Sequence, residues 1–411
     1  MHAYSLRAGA SERWQRLAVG VWVVIAALTC GRALLIALPR HHGIYHVYAA
    51  AGQNWRAGQD VYAEKDGFDI FRYSPAVAAL LVPFSALPDV LGSFAWRLAN
   101  LACYVAGLAA WVRHGLPRPL SQRQEALFYL LLAPMSINGL INGQANGLVV
   151  GLLLLTAALV CLQRWTWAAA CMALATLLKV YPLAFGLLLA AAYPRAFAAR
   201  LALALGAGLA LPFVLQEPGY VLHQYEGWVR LLASDTGRQD WWCLDLWYRD
   251  VRFLFKVWLT PLSARTFLAL QLGAAVTLAA ICVAGRWRGW STQRLSAWAL
   301  GMSCCWMLVL GPCTEGCTYI LLAPVLAWTV VEVCGGAAPW LYRGLVLLSY
   351  GVFVAIMVNT LFPWSKQFQN LAPHPFGGIL LFVALMGAAV REVLFPPGPY
   401  NDVGVESPRA L

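Results

Sequence analysis

Long apolar runs separated by short polar clusters make up most of the chain. A helix crossing a bilayer needs about 20 apolar residues. Runs of that kind begin near Leu17, Val90, Glu125, Gly147, Thr166, Leu201, Ala264, Leu295, Thr318, Leu341 and Gly378. Two segments depart from the pattern. Residues 74–87 are apolar but short and carry Pro75, Pro83 and Pro88, which predicts a re-entrant or interfacial helix. The run from Thr166 to Tyr193 is too long for one straight span and is interrupted by Lys179 and Pro182. It predicts two short helices meeting at Lys179-Val180-Tyr181-Pro182. Irregular backbone at membrane depth is tolerated only where it is buried in protein or lines a cavity. The first run follows Arg7, Arg13 and Arg16, is too long for a signal-peptide core and lacks a small-residue cleavage site, so it reads as an uncleaved span. The expected fold class is an all-α polytopic membrane protein with about 12 spans. A single domain would cover 1–395, with outer loops near 39–73 and 217–263 and a disordered cytoplasmic tail from 396 to 411.

Composition supports lipid as the solvent. Hydrophobic residues make up 61% of the chain and charged residues 11%, with mean hydropathy +0.65, against about 25% charged in soluble domains. The formal net charge is +11. The arginines fall in turns between runs, at Arg113/Arg118/Arg123, Arg164, Arg195/Arg200, Arg286/Arg288/Arg294, Arg343 and Arg391. By the positive-inside rule these turns and both termini are cytoplasmic, in a cell membrane. No basic stripe interleaved with aromatics is present, which argues against a nucleic-acid partner. Of the 11 cysteines most lie inside apolar runs and read as packing residues. Cys243, Cys313 and Cys317 fall on the outer side, where a disulfide involving Cys243 stays open. The neighbourhood is too poor in ligands for zinc, so no metal site is expected, although a divalent cation is left open.

The polar residues interrupting apolar runs collect on the outer side in four groups. The first is Phe71-Arg72-Tyr73-Ser74-Pro75, where Arg72 either snorkels to the interface or binds an anion, since an isolated charge in hydrocarbon is costly. The second is Asn142-Gly143-Gln144-Ala145-Asn146-Gly147, either a tight turn using Asn and Gly or a set of amides arranged for sugar hydroxyls or phosphate. The third is Lys179-Val180-Tyr181-Pro182. Its lysine either pairs with a loop carboxylate or holds a phosphate as a compact point charge. The fourth is Gly311-Pro312-Cys313-Thr314-Glu315-Gly316-Cys317-Thr318-Tyr319, in which Glu315 is either a solvated carboxylate or a general base. The outer loops add Asp60, Glu64, Asp66 and Asp69, and then His223, Glu226, Asp235, Asp240, Asp245 and Asp250. Aromatics (Tyr220, Tyr225, Trp228, Trp241, Trp242, Trp247, Tyr248) crowd the second loop, either as an interfacial belt or as stacking surfaces for a sugar or a prenyl chain.

At these residues the chain resembles the family-87 glycosyltransferases, membrane enzymes of the GT-C superfamily that include polyprenol-phosphate-mannose-dependent mannosyltransferases. The resemblance runs over roughly residues 15 to 335. It rests on Val47-Tyr48, Gly58-Gln59-Asp60-Val61-Tyr62, Phe71-Arg72-Tyr73-Ser74-Pro75 through Pro83, Asn142-Gly143-Gln144-Ala145-Asn146, Lys179-Val180-Tyr181-Pro182, and a weaker Gly311-Pro312 turn followed by Tyr319. It implies a GT-C-like bundle with an extracytoplasmic cavity and transfer of a mannose-like hexose from a polyprenyl-phosphate sugar to a lipid or glycan acceptor, with inversion and without a cofactor. On that reading Arg72 and Lys179 hold the leaving phosphate, while Tyr73, Asn142, Gln144, Asn146 and Tyr181 complete the substrate site. The sequence departs from the family at the late turn, here Thr314-Glu315-Gly316-Cys317 where members often carry a Ser-Pro-type turn followed by Trp-Asp-His, and again after the first run. Members commonly carry an acid a few positions before the Val-Tyr pair, whereas here the stretch is His41-His42-Gly43-Ile44-Tyr45-His46. The base therefore falls to Glu315, to His46, which can act near neutral pH when uncharged, or to Asp60. A polar-lipid transporter and a non-catalytic relative of the enzyme remain as alternatives.

Overall fold

The computed structural model describes residues 2–37, 43–63, 69–235, 248–311, 314–336, 338–362 and 366–395. Cys243, Cys313, Pro312, Glu64, Asp66, Asp240, Asp245, Trp241, Trp242, Trp247 and the tail lie outside them. Among the described residues every regular element is helical. The first run forms α1 (His2–Gly31) and a 3-10 turn (Arg32–Ala37). An outer layer follows, with α2 (Ile44–Ala57) and α3 (Pro75–Ser85), the short helix expected between 74 and 87. The bundle continues with α4 (Asp89–His114), α5 (Gln122–Asn142) and α6 (Asn146–Cys161). The interrupted run forms α7 (Trp165–Leu178) and α8 (Leu183–Ala192), as expected from Lys179 and Pro182. Next come α9 (Ala199–Ala210), α10 (Pro212–Leu215), α11 (Pro218–Asp235) and α12 (Val251–Trp258). The chain ends with α13 (Ala264–Trp287), α14 (Thr292–Val309), α15 (Ala323–Gly335), α16 (Trp340–Leu361), α17 (Lys366–Asn370) and α18 (Pro373–Leu394).

Eight of the described helices are long and apolar enough to cross a membrane, and four shorter apolar helices accompany them. The short ones include α6, α7 and α8. Of these, α6 need not match the bilayer, because protein rather than lipid covers it, whereas α7 and α8 leave Trp167 and Leu187 exposed. α6 is buried along nearly its whole length and packs on α4, α7 and α14. Its approach to α4 is set by glycine: a Cβ at Gly107 would lie 2.4 Å from the Gly151 carbonyl, and one at Gly151 2.3 Å from the Cys103 carbonyl. Small residues at a helix contact let backbones approach where water supplies no driving force. At the periphery the apolar side chains face outward instead, as at Leu203 and Val276.

Helix direction alternates, so the breaks after α5, α7 and α14 come to one end of the bundle. The arginine-bearing turns come to the other, where Arg294 pairs with Glu392. A capping box starts α5 at that end: Ser121 Oγ accepts from the Gln124 amide, and the Gln124 side chain accepts from the Ser121 amide. Over the opposite end, α11 is stitched to the first outer loop. Tyr220 donates to the Gln59 carbonyl at 2.7 Å and Trp228 to the Arg72 carbonyl at 3.2 Å. The buried Gln224 accepts from the Val61 amide at 3.0 Å. Tyr225 donates to the Leu209 carbonyl at 2.9 Å. These described aromatics of the second loop thus serve to satisfy backbone carbonyls.

Candidate functional site

The amide motif is shaped from below by α4. Gly143 closes α5 in the left-handed region at φ +80, and its carbonyl accepts from Trp96 Nε1 at 2.9 Å. Arg97, 5% exposed, donates to the Ile141 carbonyl at 2.7 Å, and Asn100 Oδ1 accepts from the Leu148 amide at 3.1 Å. A Cβ at position 143 would lie 2.8 Å from the Arg97 guanidinium. Glycine is therefore required there both for its dihedral and for space. Trp96, Arg97 and Asn100 were not singled out in the sequence. The available signal was an arginine and an asparagine within a single apolar run, where polar residues are costly.

The lysine break is held by the Phe-Arg-Tyr-Ser-Pro motif. Lys179 is extended at φ −148, ψ 134, which leaves the last carbonyls of α7 without helical partners. Ser74 Oγ donates to one of them, that of Leu177, at 2.9 Å. Tyr73 meets Tyr48 hydroxyl to hydroxyl at 2.6 Å, and its carbonyl accepts from Tyr62 at 2.8 Å. Lys179 Nζ stands 6.0 Å from the Tyr73 ring centroid and 5.7 Å from that of Tyr181, a cation–π arrangement.

A chain of side-chain hydrogen bonds joins three of the four motifs. Lys179 Nζ donates to Asn146 Oδ1 at 2.7 Å. Asn146 Nδ2 donates to Gln144 Oε1 at 3.0 Å. Gln144 Nε2 donates to Glu315 Oε2 at 2.7 Å. The order permits one orientation of each amide, because an ammonium only donates and an ionised carboxylate only accepts. Asn146 is fully buried while Glu315 is exposed. The Cys317 thiol lies beneath, 3.3 Å from Gln144 Oε1 and 3.4 Å from Glu315 Oε2. Glu315 Oε1 has no hydrogen-bonding partner among the described residues, and the side chain is exposed. The loop bearing Glu315 is fixed from the second outer segment: the Arg249 amide donates to the Thr314 carbonyl at 2.6 Å, and Tyr319 donates to the Arg249 carbonyl at 2.7 Å. Next to it Asp250 is buried, which raises its carboxyl above the usual range against the opposing effect of the Arg252 guanidinium bonded to it at 3.0 Å through Nε.

Thus Gln144, Asn146, Lys179 and Glu315, from three separate motifs, form one bonded chain, with Tyr73 and Tyr181 beside the lysine. The remaining candidates lie elsewhere. His46 faces a separate cavity. Asp60 caps its own turn, its carboxylate accepting from the Tyr62 amide at 2.9 Å. Arg72 pairs with Asp69 at 2.9 Å. Asn142 ends α5, exposed, before the Gly143 turn. Among the described residues no cluster of three His, Cys, Asp or Glu is arranged to hold a metal ion.

Two crystal structures of ArnT from Cupriavidus metallidurans are similar, each at 15% identity and over 78% of their length. The one bound to undecaprenyl phosphate covers 94% of this chain with a TM-score of 0.42, and the one in the apo state 92% with 0.39. No curated protein matches. The family model of glycosyltransferase family 87 matches residues 71–312, more than half of the chain. That stretch includes Tyr73, Gln144, Asn146 and Lys179 and ends just before Glu315. On that match this polytopic helical membrane protein belongs to glycosyltransferase family 87.

Proposed function

We propose that the protein moves a mannose-like hexose from a polyprenyl-phosphate sugar to a hydroxyl of a lipid or glycan acceptor, on the extracytoplasmic face and with inversion. The observation that carries this reading is the bonded chain from Lys179 to Glu315. It fixes a cation and a carboxylate at its two ends through two amides whose orientation is set. Lys179 meets the donor's phosphate and stabilises the negative charge that develops on it as the bond from anomeric carbon to phosphate oxygen breaks. Glu315 Oε1 takes the acceptor's hydroxyl proton as the new bond from oxygen to anomeric carbon forms on the opposite face. The proton stays on Glu315 until solvent removes it, and the lipid phosphate leaves as the anion. Arg72, engaged by Asp69, plays no part in this scheme, nor do His46 and Asp60. The scheme needs no resident cofactor or metal.

The positive-inside distribution supports the orientation, with both termini cytoplasmic. The test is transfer of label from a panel of radiolabelled polyprenyl-phosphate sugars to membrane lipids and glycans by the purified full chain. Transfer reduced by about 10²-fold or more in Glu315→Gln and in Lys179→Met, with the fold intact, is the expected result. Transfer that survives both substitutions would refute the assignment. Donor binding that depends on Lys179 without any transfer would favour a lipid carrier or a non-catalytic relative.

A further inference from the structure

A cavity of about 210 Å³ opens on the side of α2 turned away from Tyr48, and nothing in the proposed chemistry uses it. His46 and Ala50 line it from α2 and stand one helical turn apart on the same face. Asn54, Asp69, Phe71 and Asp89 complete the parts of the wall that matter here. The cavity and the hydrogen-bonded chain share a partition. Phe71 lines the cavity, and its ring centroid packs 5.4 Å from that of Tyr73. Tyr73 in turn lies under the Lys179 ammonium. A ligand in the cavity is thus one aromatic pair away from the lysine end of the site.

The chemistry of the wall selects the ligand. Asp69 and Asp89 line it with carboxylates and His46 with an imidazole, while the Asn54 amide nitrogen donates to the Asp60 carbonyl at 2.9 Å. Among the described residues beside the cavity, Arg72 pairs with Asp69. Such a rim accepts hydrogen bonds from hydroxyls. The volume is below the roughly 300–1,000 Å³ of sites that take drug-sized ligands, which suits a sugar ring rather than a prenyl chain. We infer that this cavity binds the glycan part of the acceptor, away from the hydroxyl that reacts. The inference rests on the proposed transferase reading. It assigns His46 and Asp69 to acceptor recognition rather than to base or phosphate chemistry. Binding energy from such a remote part of a substrate can be used to position the reacting group.

The test uses the full chain in lipid nanodiscs and two probes. The first is a panel of free saccharides (mannose, galactose, glucosamine and a mannose disaccharide) followed by saturation-transfer NMR. The second is undecaprenyl phosphate, followed by binding. Two substitutions address the cavity: Ala50→Trp fills it, and Asp89→Asn keeps its shape while removing a charge. The expected result is millimolar saccharide binding, weakened about tenfold or more by either substitution. Undecaprenyl phosphate binding should be unchanged in both, which also shows that they fold. Lys179→Met should give the reverse pattern. Absence of saccharide binding, or binding indifferent to both cavity substitutions, would overturn the inference while leaving the lysine site standing. Saccharide binding that behaves as expected in a protein unable to transfer label from any polyprenyl-phosphate sugar would instead count against the transferase reading.

Discussion

Lys179 donates a 2.7 Å hydrogen bond to Oδ1 of Asn146, 33 residues earlier in the chain. The bond closes the gap between the helix break and the amide turn, and it points the other face of the Asn146 amide at Gln144. Lys179 is therefore both the cation of the site and the group that sets the direction of the hydrogen bonds leading to Glu315. Lys179→Met keeps the length of the side chain and removes the charge. Label transfer should fall by about 10²–10³-fold, the usual loss when a donor to a developing anion is removed. Lys179→Arg should recover only part of it, because a planar fork does not reproduce a compact ammonium. Full activity in the methionine variant would rule out the phosphate role.

Gln144 and Glu315 are 171 residues apart in sequence and 2.7 Å apart in space. If the amide orients the base, removing either partner should cost much of what removing both costs. Double-mutant cycles on kcat/KM with Gln144→Leu and Glu315→Gln should give a coupling of about 0.5–3 kcal/mol, typical of residues in one network. Additive losses would mean that the two contribute separately.

Much of this site could be read in the sequence, and the reason is physical. A lysine or a run of amides inside an apolar chain is expensive unless it does something, so such residues stand out against lipid-facing positions. Lys179 and Pro182 also announced the helix break itself. What the sequence did not settle was which groups meet. His46, Asp60 and Glu315 were equally polar, and only the packing of the 316–322 turn against α5 and α6 brings Glu315 to Gln144. Trp96, Arg97 and Asn100 escaped notice because a few polar side chains spread over one apolar run do not form a motif. Their role is to bond backbone atoms of the neighbouring turn, a tertiary property. The number of spans was similarly hard to read. A buried helix such as α6 is as apolar as a lipid-facing one, although it falls short of the bilayer's thickness.

The Gly143 turn is constrained twice, by its φ of +80 and by the guanidinium of Arg97, which a Cβ would approach to 2.8 Å. Gly143→Ala should lower stability by more than about 1 kcal/mol, since a left-handed position is incompatible with a side chain. It should also displace Gln144 and so reduce transfer. Arg97→Ala relieves the clash but removes the bonds to the Ile141 carbonyl. The double variant should therefore be less destabilised than the sum of the single ones. Thermal unfolding in detergent of the four proteins checks this, and strict additivity would argue that the glycine is needed for its dihedral alone.

Glu217 precedes α11, and its carboxylate accepts from the Gly219 amide at 2.9 Å and the Tyr220 amide at 2.7 Å. These two backbone bonds hold its carboxyl below the ordinary value of 4.5. Because the value is lowered on folding, the stabilisation is fully present above the unfolded value. It is lost as pH falls through the lowered folded one. α11 in turn carries Tyr220 and Trp228, which bond the Gln59 and Arg72 carbonyls of the first outer loop. Acidification below the ordinary carboxylate range should therefore loosen α11 from that loop before the bundle opens. Hydrogen exchange of residues 218–235, corrected for intrinsic rates, is expected to show protection declining over that acidic range in the wild type. Glu217→Gln should show reduced protection at neutral pH and little further change on acidification. A glutamine variant with the wild-type pH dependence would assign the loosening to other carboxylates.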